Sequence, residues 1–254
     1  MANIVLAHGF LGFGENFWPV GENYIKYFNG VKAALEKHGH RVLVPSVSPL
    51  GSLDNRSQQL ADAIVNWLGD SELSIIAHSM GGLDARRVIA RYEAVGRRIK
   101  NLVAVATPHF GTPVADAFLN DTHVLYAHIP GWLRDVFKRD AGALHDLKTR
   151  TELHDPDRSS VHYKEVACVA QNVGHGSLLF ELTRALGQLE GQNDGLVTLK
   201  SACCPPRSPS AVWLVDHGGA IGWPSDYMGI SAFRAVFFPP AEHVARYVAL
   251  AAQF

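Results

Sequence analysis

Long apolar runs, charge of one sign and a cysteine framework are all missing from this chain of 254 residues, and each absence removes a class of function. No stretch stays apolar for the roughly 18 residues that a membrane-spanning helix needs, so no integral membrane segment is expected. Lys and Arg total 23 against 24 Asp and Glu, a formal net charge of −1. The longest basic cluster is the short Arg97-Arg98-Ile99-Lys100, which advertises no nucleic-acid partner. Of the 3 cysteines, Cys203 and Cys204 are adjacent and Cys168 stands apart, so no even disulfide framework exists and a reducing compartment fits. Met1-Ala2-Asn3 runs straight into Ile4-Val5-Leu6-Ala7, without the basic segment and cleavage site of a secretory signal; a cytoplasmic protein is implied unless a leader has been removed. Neither Cys-x-x-Cys nor His-x-x-x-His with an acid occurs, which gives no zinc motif. Repeats and low-complexity tracts are absent too, apart from the proline-rich loop Cys203-Cys204-Pro205-Pro206-Arg207-Ser208-Pro209.

What is present is apolar material for a core: 47% of residues are hydrophobic and only 19% charged. The length suits a single α/β domain with an insertion, since such domains reach roughly 200–250 residues. Short apolar runs at 4–7, 42–44, 73–77, 102–106, 166–170 and 212–215 read as strands buried on both faces. Helical periodicity separates them, as in Val31, Ala34 and Leu35 ahead of Gly39, and Leu60, Ile64, Trp67 and Leu68 ahead of Gly69. This alternation predicts an α/β fold with a mostly parallel central sheet and helices on both faces. The rhythm breaks at 118–160, where Trp132, Leu133, Val136, Phe137, Leu144 and Leu147 lie near one helical face. This insertion is either a helical cap over the site or one more core helix; a cap would also be the surface that meets a lipid interface.

Three segments carry chemistry. In Leu73-Ser74-Ile75-Ile76-Ala77-His78-Ser79-Met80-Gly81-Gly82-Leu83 an apolar strand runs into a serine between small residues and then a helix-forming segment. This is the pattern of a nucleophile elbow, whose tight turn demands small residues at Ala77 and Gly81. The competing reading makes Gly81-Gly82 an ordinary loop and Ser79 a helix cap. The second segment, Ile4-Val5-Leu6-Ala7-His8-Gly9-Phe10-Leu11-Gly12, ends a strand in His-Gly. Acyl transfer needs two N–H donors for a developing oxyanion, and the backbone amides of Phe10 and Met80 are the candidates, with His8 bracing the loop. The third pairs Asn193-Asp194-Gly195 with Asp216-His217-Gly218. Serine, acid, histidine is the chain order of an α/β-hydrolase triad, giving Ser79, Asp194 and His217. Asp216, beside His217, is a competing orienter. His78, His109 and His175 are the rival histidines, although His175 precedes Asp194 and so has the wrong order.

These motifs, with Tyr27-Phe28-Asn29-Gly30, Val42-Leu43-Val44-Pro45 and Thr107-Pro108-His109-Phe110-Gly111-Thr112, make the chain similar to the bacterial triacylglycerol lipases of the Pseudomonas and Burkholderia type. The resemblance covers roughly the first 120 residues and resumes at Asp194 and His217. It implies the triad and oxyanion donors named above and a lid over an acyl-binding cleft. That family carries a structural calcium held in part by an aspartate two residues after the triad histidine. Here that position is Gly219, and no acid stands at a comparable distance before Asp194, so no calcium and no other cofactor is expected.

The expected activity is hydrolysis of a small-molecule or lipid ester with an apolar acyl group, through an acyl-enzyme. Phe13, Phe17, Trp18, Leu133, Phe137 and Ile221 are candidate pocket residues, each equally able to be plain core. A polyhydroxyalkanoate depolymerase, a thioesterase and an acyltransferase share this chemistry. A catalytically silent ligand-binding α/β-hydrolase is the alternative of another class. Oligomeric state is not legible.

Overall fold

The computed structural model describes residues 1–17, 26–67, 69–129, 131, 134–135, 142–170, 180–204, 207–223 and 241–254. All six apolar runs become strands, β1 (Asn3–Ala7), β4 (Arg41–Leu43), β5 (Leu73–His78), β6 (Ile99–Val105), β7 (His162–Cys168) and β8 (Ala211–Trp213). They form one sheet in the order β4-β1-β5-β6-β7-β8, and every neighbouring pair is parallel. Two short strands not foreseen from sequence, β2 (Gly12–Phe13) and β3 (Asn16–Phe17), pair antiparallel outside it.

Side chains alternate along a strand, so each run feeds two cores. From β1, Ile4 and Leu6 join Ile76, Val103, Val105 and Val166 under Val31 and Leu35 of α1 (Val31–Lys37) and Tyr247 of the C-terminal helix Ala241–Ala251. Val5 and Ala7 face the other way. They meet Ile75, Ala77 and Leu102 beneath Leu60 and Ile64 of α2 (Leu53–Val65) and Val88 and Ile89 of α3 (Met80–Arg91). The sheet is thereby sandwiched between helix layers, as a parallel sheet buried on both faces requires.

Part of the described segment 118–160 packs in the core. Leu144 and Leu147 lie with Leu50, Leu53, Met80 and Leu83. Leu125 and Ile129 lie with Val114, Leu182 and Leu186. Trp132, Leu133, Val136 and Phe137, on which the cap reading turned, are outside the described residues.

A buried ion pair fastens α2 to α3. The Arg56 guanidinium donates through Nε to both oxygens of Asp84, at 3.2 and 3.0 Å, and through Nη2 to Asp84 Oδ2 at 2.6 Å. Nη1 donates to the carbonyl of Ser48 (2.6 Å) and Nη2 also to that of His8 (2.9 Å). Breaking such a pair strands an uncompensated charge. Asp84→Ala is expected to cost about 3–5 kcal/mol of unfolding free energy, measured by urea denaturation; a loss below about 1 kcal/mol, the value of an exposed pair, would contradict this placement.

Candidate active site

The strand β5 and helix α3 are joined by a single residue, Ser79, at φ 56° and ψ −133°. That conformation is strained for any residue with a side chain and costs about 1–3 kcal/mol. It is held by a hydrogen bond from the Ser79 amide to the carbonyl of Val105, 2.9 Å. Ser79 stands at the N-cap position of α3, yet its side chain makes no capping bond, so its hydroxyl is not consumed by helix initiation.

The need for small residues around the serine has a direct cause. A Cβ on Gly81 would stand 2.3 Å from the Ala7 oxygen and 2.8 Å from the His8 oxygen. Gly82, which the elbow pattern did not single out, is as constrained: its Cβ would fall 2.1 Å from Thr107 Oγ1. On the facing loop, a Cβ on Gly9 would meet the Ser79 Cβ at 2.6 Å. The end of β1 is thus pressed against the serine, and Phe10 follows in that loop. Gly12 donates back to the Gly9 carbonyl at 3.2 Å, and the Leu11 amide to that of Pro49 at 2.9 Å. His8 braces the turn as expected: its Nε2 accepts from the Val47 amide at 3.3 Å, leaving Nδ1 to donate to the Gly9 carbonyl at 3.0 Å. Burial, and secondarily the Arg56 charge, lowers its pKa to about 3, so the ring stays neutral.

His217 and Asp194 are brought together. His217 Nδ1 lies 2.7 Å from Asp194 Oδ2, with both residues buried. The other carboxylate oxygen accepts from the amides of Leu196 (3.0 Å) and Val197 (2.7 Å), and the His217 amide donates to the Asp194 carbonyl at 2.9 Å. A carboxylate only accepts, so Nδ1 of His217 carries a hydrogen, which fixes the tautomer of the neutral ring. The ring of His217 lies 4.6 Å from that of His78, the residue before Ser79.

The rivals have other work. Asp216 does not orient His217: its Oδ1 accepts from the Gly219 amide at 2.6 Å and starts the turn Gly219–Ile221. His109 is fully buried and bonded to Glu165 at 2.8 Å. His175 lies outside the described residues, as do Trp18, Leu133 and Phe137. The backbone places Phe13 and Phe17 in the pair β2 and β3. Ile221 is buried in the cluster that holds Phe28, Val31 and Tyr247.

Among the described residues, one group of potential metal ligands converges, His109, Glu165 and Cys204, with ligand atoms within 4.8 Å of one another. Its chemistry does not fit a cation. Glu165 Oε1 already accepts from Arg86 and Arg207, both at 2.9 Å, and Arg207 also reaches Cys204 Sγ at 3.1 Å. The calcium position of the lipases fits no better. A Cβ on Gly219 would stand 3.0 Å from Asp216 Oδ1 and 3.2 Å from Val215 Cβ, so a side chain there would require those neighbours to give way.

The chain belongs to the α/β-hydrolase fold family, whose model matches residues 2–161. It is similar to triacylglycerol lipases of Pseudomonas fragi (32% identity over 136 residues, 52% of this chain and 41% of the relative) and Burkholderia plantarii (31% over 124 residues, 46% and 32%). The matches span less than half the length of these relatives. Over nearly the whole chain the fold is that of a Bacillus licheniformis lipase in its mature form, with a TM-score of 0.68 at 22% identity, covering 91% of this chain and 90% of that one. A metagenomic carboxyl esterase is also similar in fold, with a TM-score of 0.63 at 18% identity, covering 98% and 75%.

Burial raises the Asp216 pKa to about 6, with the nearby Asp194 charge adding to it. The folded state therefore binds this proton more tightly than the unfolded chain. Stability from this group is full below the ordinary carboxylate pKa and is lost as pH rises toward 6. Asp216→Asn keeps an acceptor for Gly219 and removes the charge. It is expected to raise the melting temperature at pH 8 and leave it unchanged at pH 3.5; equal shifts at both pH values would contradict the assignment.

Proposed function

We propose that this protein is a serine carboxylic-ester hydrolase of lipase or esterase type, acting on small-molecule or lipid esters with an apolar acyl group. The observation that carries the reading is His217, oriented by a buried carboxylate and docked on the residue that precedes a strained, uncapped serine. Ser79 Oγ attacks the ester carbonyl carbon while its proton passes to Nε2 of His217. The carbonyl oxygen becomes an oxyanion between the amides of Phe10 and Met80. Met80 is the first residue of α3, where the amide has no partner within the helix and the helix dipole favours negative charge. The intermediate collapses, the alcohol leaves with the proton from His217, and an acyl-Ser79 ester remains. Water, deprotonated by His217, attacks it; the acid is released and Ser79 recovers its proton. Asp194 holds the tautomer and stabilises the imidazolium.

No calcium takes part in this reading, since Gly219 carries no carboxylate at the position where the lipases have one. Thioesterase, polyester depolymerase and acyltransferase chemistry would use the same residues, and the substrate series separates them.

Hydrolysis of p-nitrophenyl esters from acetate to palmitate is expected, with Ser79→Ala inactive and Asp194→Asn lowered by about 10⁴ in kcat. EDTA should leave the rate unchanged. Full activity in Ser79→Ala would overturn the assignment, and loss of activity in EDTA restored by Ca²⁺ would overturn the metal-free reading.

A further inference from the structure

Two buried polar residues that neither the triad nor the oxyanion hole uses lie between them. The Gly9 amide donates to the Tyr27 hydroxyl at 2.8 Å. That oxygen is 2.8 Å from His78 Nδ1, and His78 Nε2 is 3.1 Å from the carbonyl of His217. Tyr27 and His78 are 3% and 1% exposed, so their polar atoms depend on these buried partners.

The two ends fix the direction of the whole chain. An amide can only donate and a carbonyl can only accept. His78 Nε2 must therefore carry hydrogen to reach the His217 carbonyl. Burial, reinforced by the neighbouring His217, holds the His78 pKa well below its ordinary value, so the ring is neutral and Nδ1 bears a lone pair. Tyr27, whose phenol burial pushes up, then donates its proton to Nδ1 while accepting from Gly9. Every member is satisfied in this one arrangement only.

We propose that Tyr27 and His78 are positioning residues: one directed hydrogen-bond chain, Gly9 to Tyr27 to His78 to His217, holds the base and the oxyanion loop in register with each other. The proposal rests on the hydrolase reading above. Asp194 fixes the ring of His217 and its amide; the carbonyl is the remaining tether, and it is His78 that holds it. At the other end the same chain holds the loop residue whose Cα lies against Ser79 and which precedes the Phe10 amide. Packing keeps the middle in place, with the Tyr27 ring edge-on to Phe28 at 5.1 Å, to His78 at 5.7 Å and to Trp223 at 5.8 Å.

Two substitutions at His78 split the chain. His78→Asn keeps an acceptor near Nδ1 and loses the donor to His217; His78→Gln keeps a donor near Nε2. Tyr27→Phe removes the middle. Misplacement of a base by a fraction of an ångström is costly, so His78→Asn and Tyr27→Phe are each expected to lower kcat by about 10–100-fold with KM changed less than about twofold. His78→Gln should recover most of kcat, and the double variant Tyr27→Phe with His78→Asn should be no worse than the poorer single one. Rates are taken per site titrated with a fluorophosphonate, which removes any misfolded fraction.

Equal rates in Asn and Gln variants, or unchanged kcat in Tyr27→Phe with only a lower melting temperature, would overturn the proposal. An independent readout needs no turnover. In ¹⁵N spectra of the histidine rings, His78 should show a protonated Nε2 and an unprotonated Nδ1, and Tyr27→Phe should move the His217 ring resonances. A protonated Nδ1 on His78, or His217 resonances indifferent to Tyr27, would overturn it. A wild-type chain inert toward every ester, yet with these spectra, would instead sink the hydrolase reading and uphold the bridge.

Discussion

The first turn of α3 lies against the end of β1 so closely that no side chain fits between them. Gly81 meets the carbonyls of Ala7 and His8, Gly82 meets Thr107, and Gly9 meets Ser79 itself. Parallel pairing of β1 with β5, in register from Ile4 with Ser74 to Ala7 with Ala77, brings the two strand ends to the same level. The chain must then turn at once from strand to helix, and Ser79 takes the left-handed φ that this demands. Large cores on both faces of the sheet offset that strain. The outcome is a hydroxyl at a fixed point, beside the loop after β1 and the start of α3.

Charge pairing fixes α3 from its other side. Arg86 reaches Asp157 and Glu165, Arg87 reaches Asp54 and Asp155, and Arg91 reaches Asp155. These basic residues lie in the second half of α3, away from the helix start at which Ser79 stands. Their partners come from α2, from the loop before β7 and from β7. Each buried pair contributes little net stability against apolar replacements, but together they allow α3 one seat on the sheet. The Arg56 contact with the His8 carbonyl extends the same restraint to the loop that faces Ser79.

The elements easiest to read were those whose determinants are local. Apolar runs marked the strands, and the elbow was legible because its strand, serine and glycines are contiguous. Strand starts were not legible. Ile99-Lys100-Asn101 and His162-Tyr163-Lys164 are polar or mixed, yet they begin β6 and β7, and Asn101 pairs with His162, because Lys100, Asn101, Tyr163 and Lys164 are only half-buried, His162 is exposed and such positions tolerate polar side chains. The pairing of His217 with Asp194 rather than with adjacent Asp216 depended on the turn at Gly219, whose amide claims the Asp216 carboxylate. Tyr27 was legible only as part of a motif and His78 only as a rival base, and nothing local marked Arg56. The bonds of Arg56 to His8, of Tyr27 to His78 and of His78 to His217 span 48 to 139 residues, and such contacts appear only once the sheet order is known. Ile221, offered by sequence as a pocket residue or plain core, is apolar in both readings, so its residue type carries no signal for either.

The central claim is that Ser79 is the nucleophile and that His217 makes it one. It is tested most directly by reacting the intact protein with a fluorophosphonate and locating the adduct by peptide mass spectrometry, with His217→Ala alongside. A single phosphonylated residue, Ser79, with labelling slowed by at least about a hundredfold in His217→Ala, is the predicted result. An adduct on another serine, or labelling of Ser79 at the same rate without His217, would contradict the account.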